Sequence, residues 1–234
     1  MVRTAVLALL ALASSTSADT TTLVTFDGAD DATNFVWYDM NDPVMGGAST
    51  STFKIEEDSG SGVFNGTCAI VESLAAPGFC KAYTYHPLGH DEVFPDASAH
   101  IDGGLTIKLS TTSPDYTGFK VAFSATDIPI IAGSHTAYGT FKAPFAVGAT
   151  TDVQTVTVPF STFSYDWSPY TGECDTLDPT GVQHHCCSAD DDYKYCPTAE
   201  YLGSITGFEV WAEGVEGDFH LEILEIAAAD TASA

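Results

Sequence analysis

The chain has 234 residues, with 7 basic against 32 acidic side chains and a formal net charge of −25 at pH 7. Such an excess of carboxylates repels phosphate backbones and anionic bilayers, and no Lys/Arg stripe with interleaved aromatics offsets it, so no nucleic acid partner is expected. No apolar stretch reaches the length of a membrane span, so no membrane insertion is expected either.

Residues 1–18 carry a single basic residue, Arg3, then an apolar run from Ala5 to Ala13 and small residues from Ser14 to Ala18. This is the order of a secretory signal peptide cleaved after Ala18, whereas a mitochondrial presequence would be Arg-rich and amphipathic. The expected setting is the secretory lumen or the cell exterior, with the mitochondrion as the alternative. Residues 19–226 are of a size for one all-β domain.

Alternation of apolar and polar residues recurs along this domain, and helical spacing does not. Strands are predicted at Thr22–Phe26, Phe35–Tyr38, Ser51–Ile55, Gly62–Val71, Lys81–Tyr85, Leu105–Ser110, Phe119–Ser124, Ala137–Phe141, Val156–Phe160, Ser204–Trp211 and Asp218–Ile226, bounded by Gly, Pro, Asp and Ser clusters. So many strands imply a sandwich rather than an open sheet. In the last strand the phase of Phe219, Leu221 and Ile223 gives way to Leu224 and Ile226, which predicts a bulge near Leu224. Residues 227–234 are small and polar and are expected to form a disordered tail.

Between the second and third strands lies Asn41-Asp42-Pro43-Val44-Met45-Gly46-Gly47-Ala48-Ser49. Pro43 pushes Asp42 out of the α region and Gly46 and Gly47 permit angles closed to other residues, so the segment reads as a tight loop. Trp37, Val44 and Met45 would be apolar pegs. Asp42 suits an Asx-type latch that accepts backbone N–H groups, or alternatively a ligand or ion site.

Six cysteines in a chain with a leader point to disulfides. Proximity pairs Cys68 with Cys80. Cys174, Cys186, Cys187 and Cys196 pair among themselves, and because adjacent Cys186 and Cys187 do not bond to each other, two pairings stay open. Asn65-Gly66-Thr67 is a glycosylation sequon, effective only in the secretory pathway.

The longest irregular segment, residues 164–202, holds Glu173, Asp175, Asp178, His184, His185 and Asp190 to Asp192 among four cysteines. Zinc would need free thiolates at CxxC-type spacing, and these are absent. Calcium accepts clustered carboxylates, yet the alternate-position ligands of an EF-hand are missing. The segment therefore reads as a disulfide-stapled loop with solvated acids. No metal ligand or cofactor is assigned, calcium being the one ion its composition would admit.

Catalytic patterns are weak. There is no G-x-S-x-G elbow, and so many carboxylates make acid pairs uninformative. His220 and Glu222 share a strand face that reads as a solvent face. Aromatic residues are more telling. Tyr83, Tyr85, Tyr138, Trp167, Tyr170, Tyr193, Tyr195, Tyr201 and Trp211 could supply a platform for sugar rings, with Trp167 and Tyr170 the preferred loop candidates.

The run from Trp37 through Asn41-Asp42 and Val44-Met45-Gly46-Gly47 to Ser51 and Phe53 resembles the opening motif of the complex I intermediate-associated protein 30 family. Ile205 to Ile226, with Gly207-Phe208-Glu209-Val210-Trp211 and Gly217-Asp218-Phe219-His220-Leu221, resembles its closing strands. Asp166 to Glu173 resembles a stretch of secreted-type members. The resemblance implies a single galactose-binding-like jelly-roll β-sandwich and a non-enzymatic role in assembly. The expected function is a binding or chaperone-like module that recognises a protein partner through one sheet and its loops. A glycan-binding lectin-like domain, calcium-assisted or not, is the alternative, and an extracellular glycoside hydrolase is the third reading.

Overall fold

The computed structural model describes residues 19–28, 35–42, 46–74, 76–84, 94–131 and 139–230. The expected signal peptide lies outside them, as do Val44, Met45, Tyr85 and Tyr138. Eleven strands among the described residues form two antiparallel sheets, so the chain is an all-β sandwich.

Sheet A has the order β3 (Thr50–Glu56), β4 (Ser61–Cys68), β11 (Gly217–Ala229), β6 (Gly104–Ser110), β9 (Gln154–Pro159), with β1 (Thr20–Thr25) also paired to β11. Sheet B has the order β2 (Trp37–Asn41), β5 (Phe79–Thr84), β10 (Ile205–Glu213), β7 (Phe119–Ala125), β8 (Thr140–Pro144). One short helix, α1 (Ala199–Leu202), lies in the connection before β10.

The alternation read from the sequence is what builds the core. Leu105, Ile107 and Leu109 of β6 and Leu221 and Ile223 of β11 face inward from sheet A. Phe119, Val121 and Phe123 of β7 and Phe208 and Val210 of β10 meet them from sheet B, and all are buried. Removing so many large apolar side chains from water is the main force holding the sheets together. Between Ile223 and Glu225 the pairing of β11 with β6 shifts register, so the bulge falls at Leu224.

The start of the expected C-terminal tail is a correction to the sequence reading, while residues 231–234 lie outside the described residues. Ala227, Ala228 and Ala229 are buried and continue β11, paired on one side to Thr22, Thr21 and Thr20 and on the other to Thr106, Leu105 and Gly104. The chain at Gly103 passes close to this strand end, where an added Cβ would overlap the Ala229 carbonyl. Two flanking strands satisfy the backbone, so no large side chain is needed to anchor it.

Asp42 is buried, and its carboxylate is fully engaged. Oδ1 accepts from the Ser49 N–H at 2.8 Å, and Oδ2 accepts from the Ser49 hydroxyl at 2.8 Å and the Phe79 N–H at 3.1 Å. The Gly47 N–H donates to the Asp42 carbonyl at 3.1 Å, and a Cβ at Gly47 would overlap the Asp42 carboxyl group. The loop is thus a latch joining the end of β2 to the starts of β3 and β5. These bonds give Asp42 the latch role named first in the sequence reading. Trp37 is a core peg, with its ring 4.8 Å from Phe53 and 5.6 Å from Phe26.

Of the two open pairings, the fold takes Cys174–Cys186 and Cys187–Cys196. The expected Cys68–Cys80 bond is not formed, and both residues are buried thiols. Cys68 closes β4 in sheet A and Cys80 lies in β5 of sheet B, and each has a carbonyl neighbour that takes its S–H. Cys68 donates to Gly78 at 3.2 Å and Cys80 to Thr67 at 3.8 Å. Burial pushes both thiols up, Cys80 to about 12, so neither is a reactive thiolate. An alkylating reagent is expected to label no cysteine in the native protein and two after unfolding without reductant, read by intact mass. Absence of labelling after unfolding would mean that the two are bonded.

Candidate functional site

Strand alternation sends one set of side chains out of sheet B, and the register lines them up across it. Tyr38, Tyr83, Glu209, Ala122 and Lys142 form one row. Met40, Lys81, Trp211 and Lys120 form the next, and Phe79 pairs with Glu213 beyond it. Three of the seven basic residues of a very acidic chain therefore converge on one face.

Each of these lysines is held by a carboxylate. Lys81 Nζ lies 2.9 Å from Glu209 Oε1, and the other Glu209 oxygen accepts the Trp211 indole N–H at 2.8 Å. Glu213 Oε2 is shared, 2.7 Å from Lys120 Nζ and 2.8 Å from Lys142 Nζ. Burial works to raise the Glu213 carboxyl, but Lys142 and Lys120 outweigh it and hold the group below its ordinary range. Burial likewise draws the Lys142 ammonium below its usual value, with Glu213 opposing.

Indole rings close over these charges. Lys142 Nζ sits 4.7 Å from the ring centroids of both Trp167 and Trp211, while Lys120 lies 5.1 Å from Trp167 and Lys81 4.8 Å from Trp211. A desolvated ammonium against an indole face is worth about 2 kcal/mol. Trp167 also donates its indole N–H to the Lys142 carbonyl at 2.9 Å, and Lys120 donates to the Gly172 carbonyl at 2.7 Å. The start of the irregular segment is thereby tied down over the β7–β8 half of sheet B. Among the described residues no segment is likewise tied down over the β2–β5–β10 half, where Tyr38 is 44% and Met40 39% exposed.

Trp167 is therefore a clamp over the closed half, and it also lines a groove. Val71, Pro77, Lys120, Thr171 and Glu213 line it too, and its volume is about 640 Å³. Tyr170 is half-buried in the turn that follows, where its N–H donates to Ser168 Oγ at 3.1 Å. The sequence reading named Trp211 only among other aromatics and did not single out Lys81, Glu209, Lys142 or Glu213. Lys81 stands two residues from Tyr83, and Glu209 and Glu213 two from Trp211, at outward strand positions, but their pairing and the part of Lys142 in β8 depend on the strand order.

The cysteine-rich segment organises itself around a buried histidine. His184 Nδ1 is 2.8 Å from Asp166 Oδ1 and Nε2 is 3.3 Å from Asp178 Oδ2. Burial acts to raise the Asp178 carboxyl, but bonds from the Thr180 hydroxyl, the Val182 N–H and His184 prevail and pull it down to about 2. Asp175 accepts the Cys186 N–H at 3.1 Å. These acids serve the loop's own backbone, and among the described residues no group of three or more His, Cys, Asp or Glu side chains is arranged to hold a metal ion.

On the other sheet, Glu222 accepts hydroxyls from Ser61 at 3.0 Å and Ser110 at 3.1 Å, and His220 Nδ1 accepts the Thr112 N–H at 3.3 Å. The pair is thus engaged separately on the outer face of sheet A. Asn65 is exposed in β4 on that same face, directly across from His220.

Residues 24–185 match the model of the family described as Complex I intermediate-associated protein 30 (CIA30), and the chain belongs to that family. No curated protein matches it. Among solved structures, it is similar to a family 11 carbohydrate-binding module from Clostridium thermocellum in complex with a β-1,3-1,4-mixed-linked tetrasaccharide, at 9% identity and TM-score 0.45 over 91% of this chain and 98% of that one. A solution structure of CtCBM11 gives 10% identity and TM-score 0.47 over 95% and 100%. An exo-β-agarase gives 9% identity and TM-score 0.44 over 90% of this chain but 25% of that one.

Removing Glu213 would leave two buried ammonium groups facing one another. Glu213→Gln is expected to destabilise the protein by about 3–5 kcal/mol in urea unfolding. A change below about 1 kcal/mol, the range of a surface ion pair, would contradict the shared-carboxylate geometry.

Proposed function

We propose that this CIA30-family protein is a non-catalytic module that binds a glycan on the open half of the outer face of sheet B. The observation that carries the reading is the run of Tyr38, Tyr83, Trp211 and Phe79, whose rings are set in place over the buried pair Lys81 and Glu209. A pyranose presents C–H groups on one face and hydroxyls around its rim. Aromatic rings accept the first, and donors and acceptors held in place accept the second. The rings are already ordered by their neighbours, Trp211 by Phe79 at 5.5 Å and by Glu209, and Tyr83 by Lys81 at 5.0 Å, so little is lost in fixing them on binding.

A secretory or extracellular setting fits this reading. Two disulfides stay closed in an oxidising compartment. A carbohydrate chain attached at Asn65 would cover sheet A and leave sheet B free. A second reading is a protein partner in an assembly role, which the family's name describes. It is favoured by β2, which among the described residues is an edge strand of sheet B paired with β5 alone, and by Val36 at 54% and Met40 at 39% exposure beside it.

Glycan-array binding followed by calorimetry tests the proposal. Tyr38→Ala and Trp211→Ala are expected to weaken retention at least about tenfold, the loss of roughly 1.4 kcal/mol. Tyr38→Ala is the cleaner variant because its ring is the most exposed. Retention unaffected by either variant, or no glycan retained, would overturn the reading in favour of the protein partner.

A further inference from the structure

The charges on the proposed face decide which glycans can use it, an inference that rests on the glycan reading above. A uronate or sulfate group entering a protein surface needs a cation with unspent charge, and each lysine here is already committed. Lys81 is neutralised by Glu209, and its side chain is only 7% exposed. Lys120 and Lys142 share Glu213 and lie beneath Trp167, with side chains 11% and 9% exposed.

That triad holds one uncompensated positive charge, but Glu72 and Glu173 both line the adjoining groove and oppose it. Asp39 is exposed on β2 at the open edge. Lys54 and Lys108 stand on β3 and β6 of the other sheet, and Lys194 lies in the cysteine-rich segment. Beyond the face, the net charge of −25 repels any polyanion at a distance of a Debye length or less. What remains for recognition is ring faces, hydroxyls and internally compensated ion pairs.

We infer that the ligand of sheet B is an uncharged polysaccharide, and that uronate-bearing and sulfated glycans are rejected. Binding by stacking and hydrogen bonds without ion pairing has little salt dependence, whereas capture of a polyanion weakens steeply as salt rises.

The test uses the full mature chain against immobilised neutral β-glucan and neutral xylan, against alginate for the uronate class, and against carrageenan for the sulfate class. Each is measured at low and high NaCl with the wild type and Tyr38→Ala. The expected result is retention by a neutral polymer, lost in Tyr38→Ala and changing by less than about twofold with salt, with no retention by alginate or carrageenan. Salt-sensitive retention by alginate or carrageenan that Tyr38→Ala abolishes would overturn the charge inference while leaving the face as the binding site. Retention by none of the four would overturn the glycan reading and this inference together.

Discussion

A single buried carboxylate, Glu213, decides how the outer half of this protein is assembled. It is the last residue of β10, on the outer face of sheet B, and two lysines from β7 and β8 converge on one of its oxygens. Burying three charged groups costs solvation that mutual attraction alone barely returns, so their place in the fold depends on geometry and on further partners. Those partners are Trp167 and Trp211, whose ring faces flank the ammonium groups, and the Gly172 carbonyl. The ion cluster thus turns the long irregular segment into a fixed cover for one half of sheet B and defines, by contrast, the half left open.

The polar devices at Asp42 and His184 bridge shorter stretches of sequence, up to the 37 residues between Asp42 and Phe79. Asp42 gathers Ser49 and Phe79 and so registers β2, β3 and β5, and Phe79 then packs on Trp211. His184, between Asp166 and Asp178, gives the cysteine-rich segment an internal anchor that two short-range disulfides reinforce. Asp166 joins the two systems, because it lies next to Trp167 in the chain. A loop without regular structure is held by a polar core of its own at one end and by the sheet's lysines at the other.

Much of the architecture was legible in the sequence because period-2 alternation maps directly onto inward and outward faces. The strands of Leu105–Ser110 and Phe119–Ser124 and the bulge at Leu224 follow from side-chain period alone. The C-terminal alanines did not follow, since burial between two strands requires knowing which strands flank them, and that is set by topology. The Cys68 and Cys80 thiols escaped for a similar reason: twelve residues of separation says nothing about which sheet each strand joins. Trp167 was legible as a loop aromatic, though its role as a clamp on Lys142 was not. The Lys81–Glu209 and Lys120–Glu213–Lys142 groups were not, because their partners are 71 to 128 residues apart and only the strand order brings them together.

The two faces of the sandwich have divergent chemistry as a result. Sheet A presents small hydroxyls, scattered charges and Asn65, while sheet B presents rings and compensated ion pairs. Titration of an isotope-labelled sample with a neutral oligosaccharide, followed by backbone amide shifts, tests most directly that sheet B is the binding surface. Binding on sheet B is expected to concentrate the shifts in residues 38–41, 79–84 and 207–213, with sheet A silent. Shifts centred on β3, β4 and β11, or confined to residues 174–196, would contradict it.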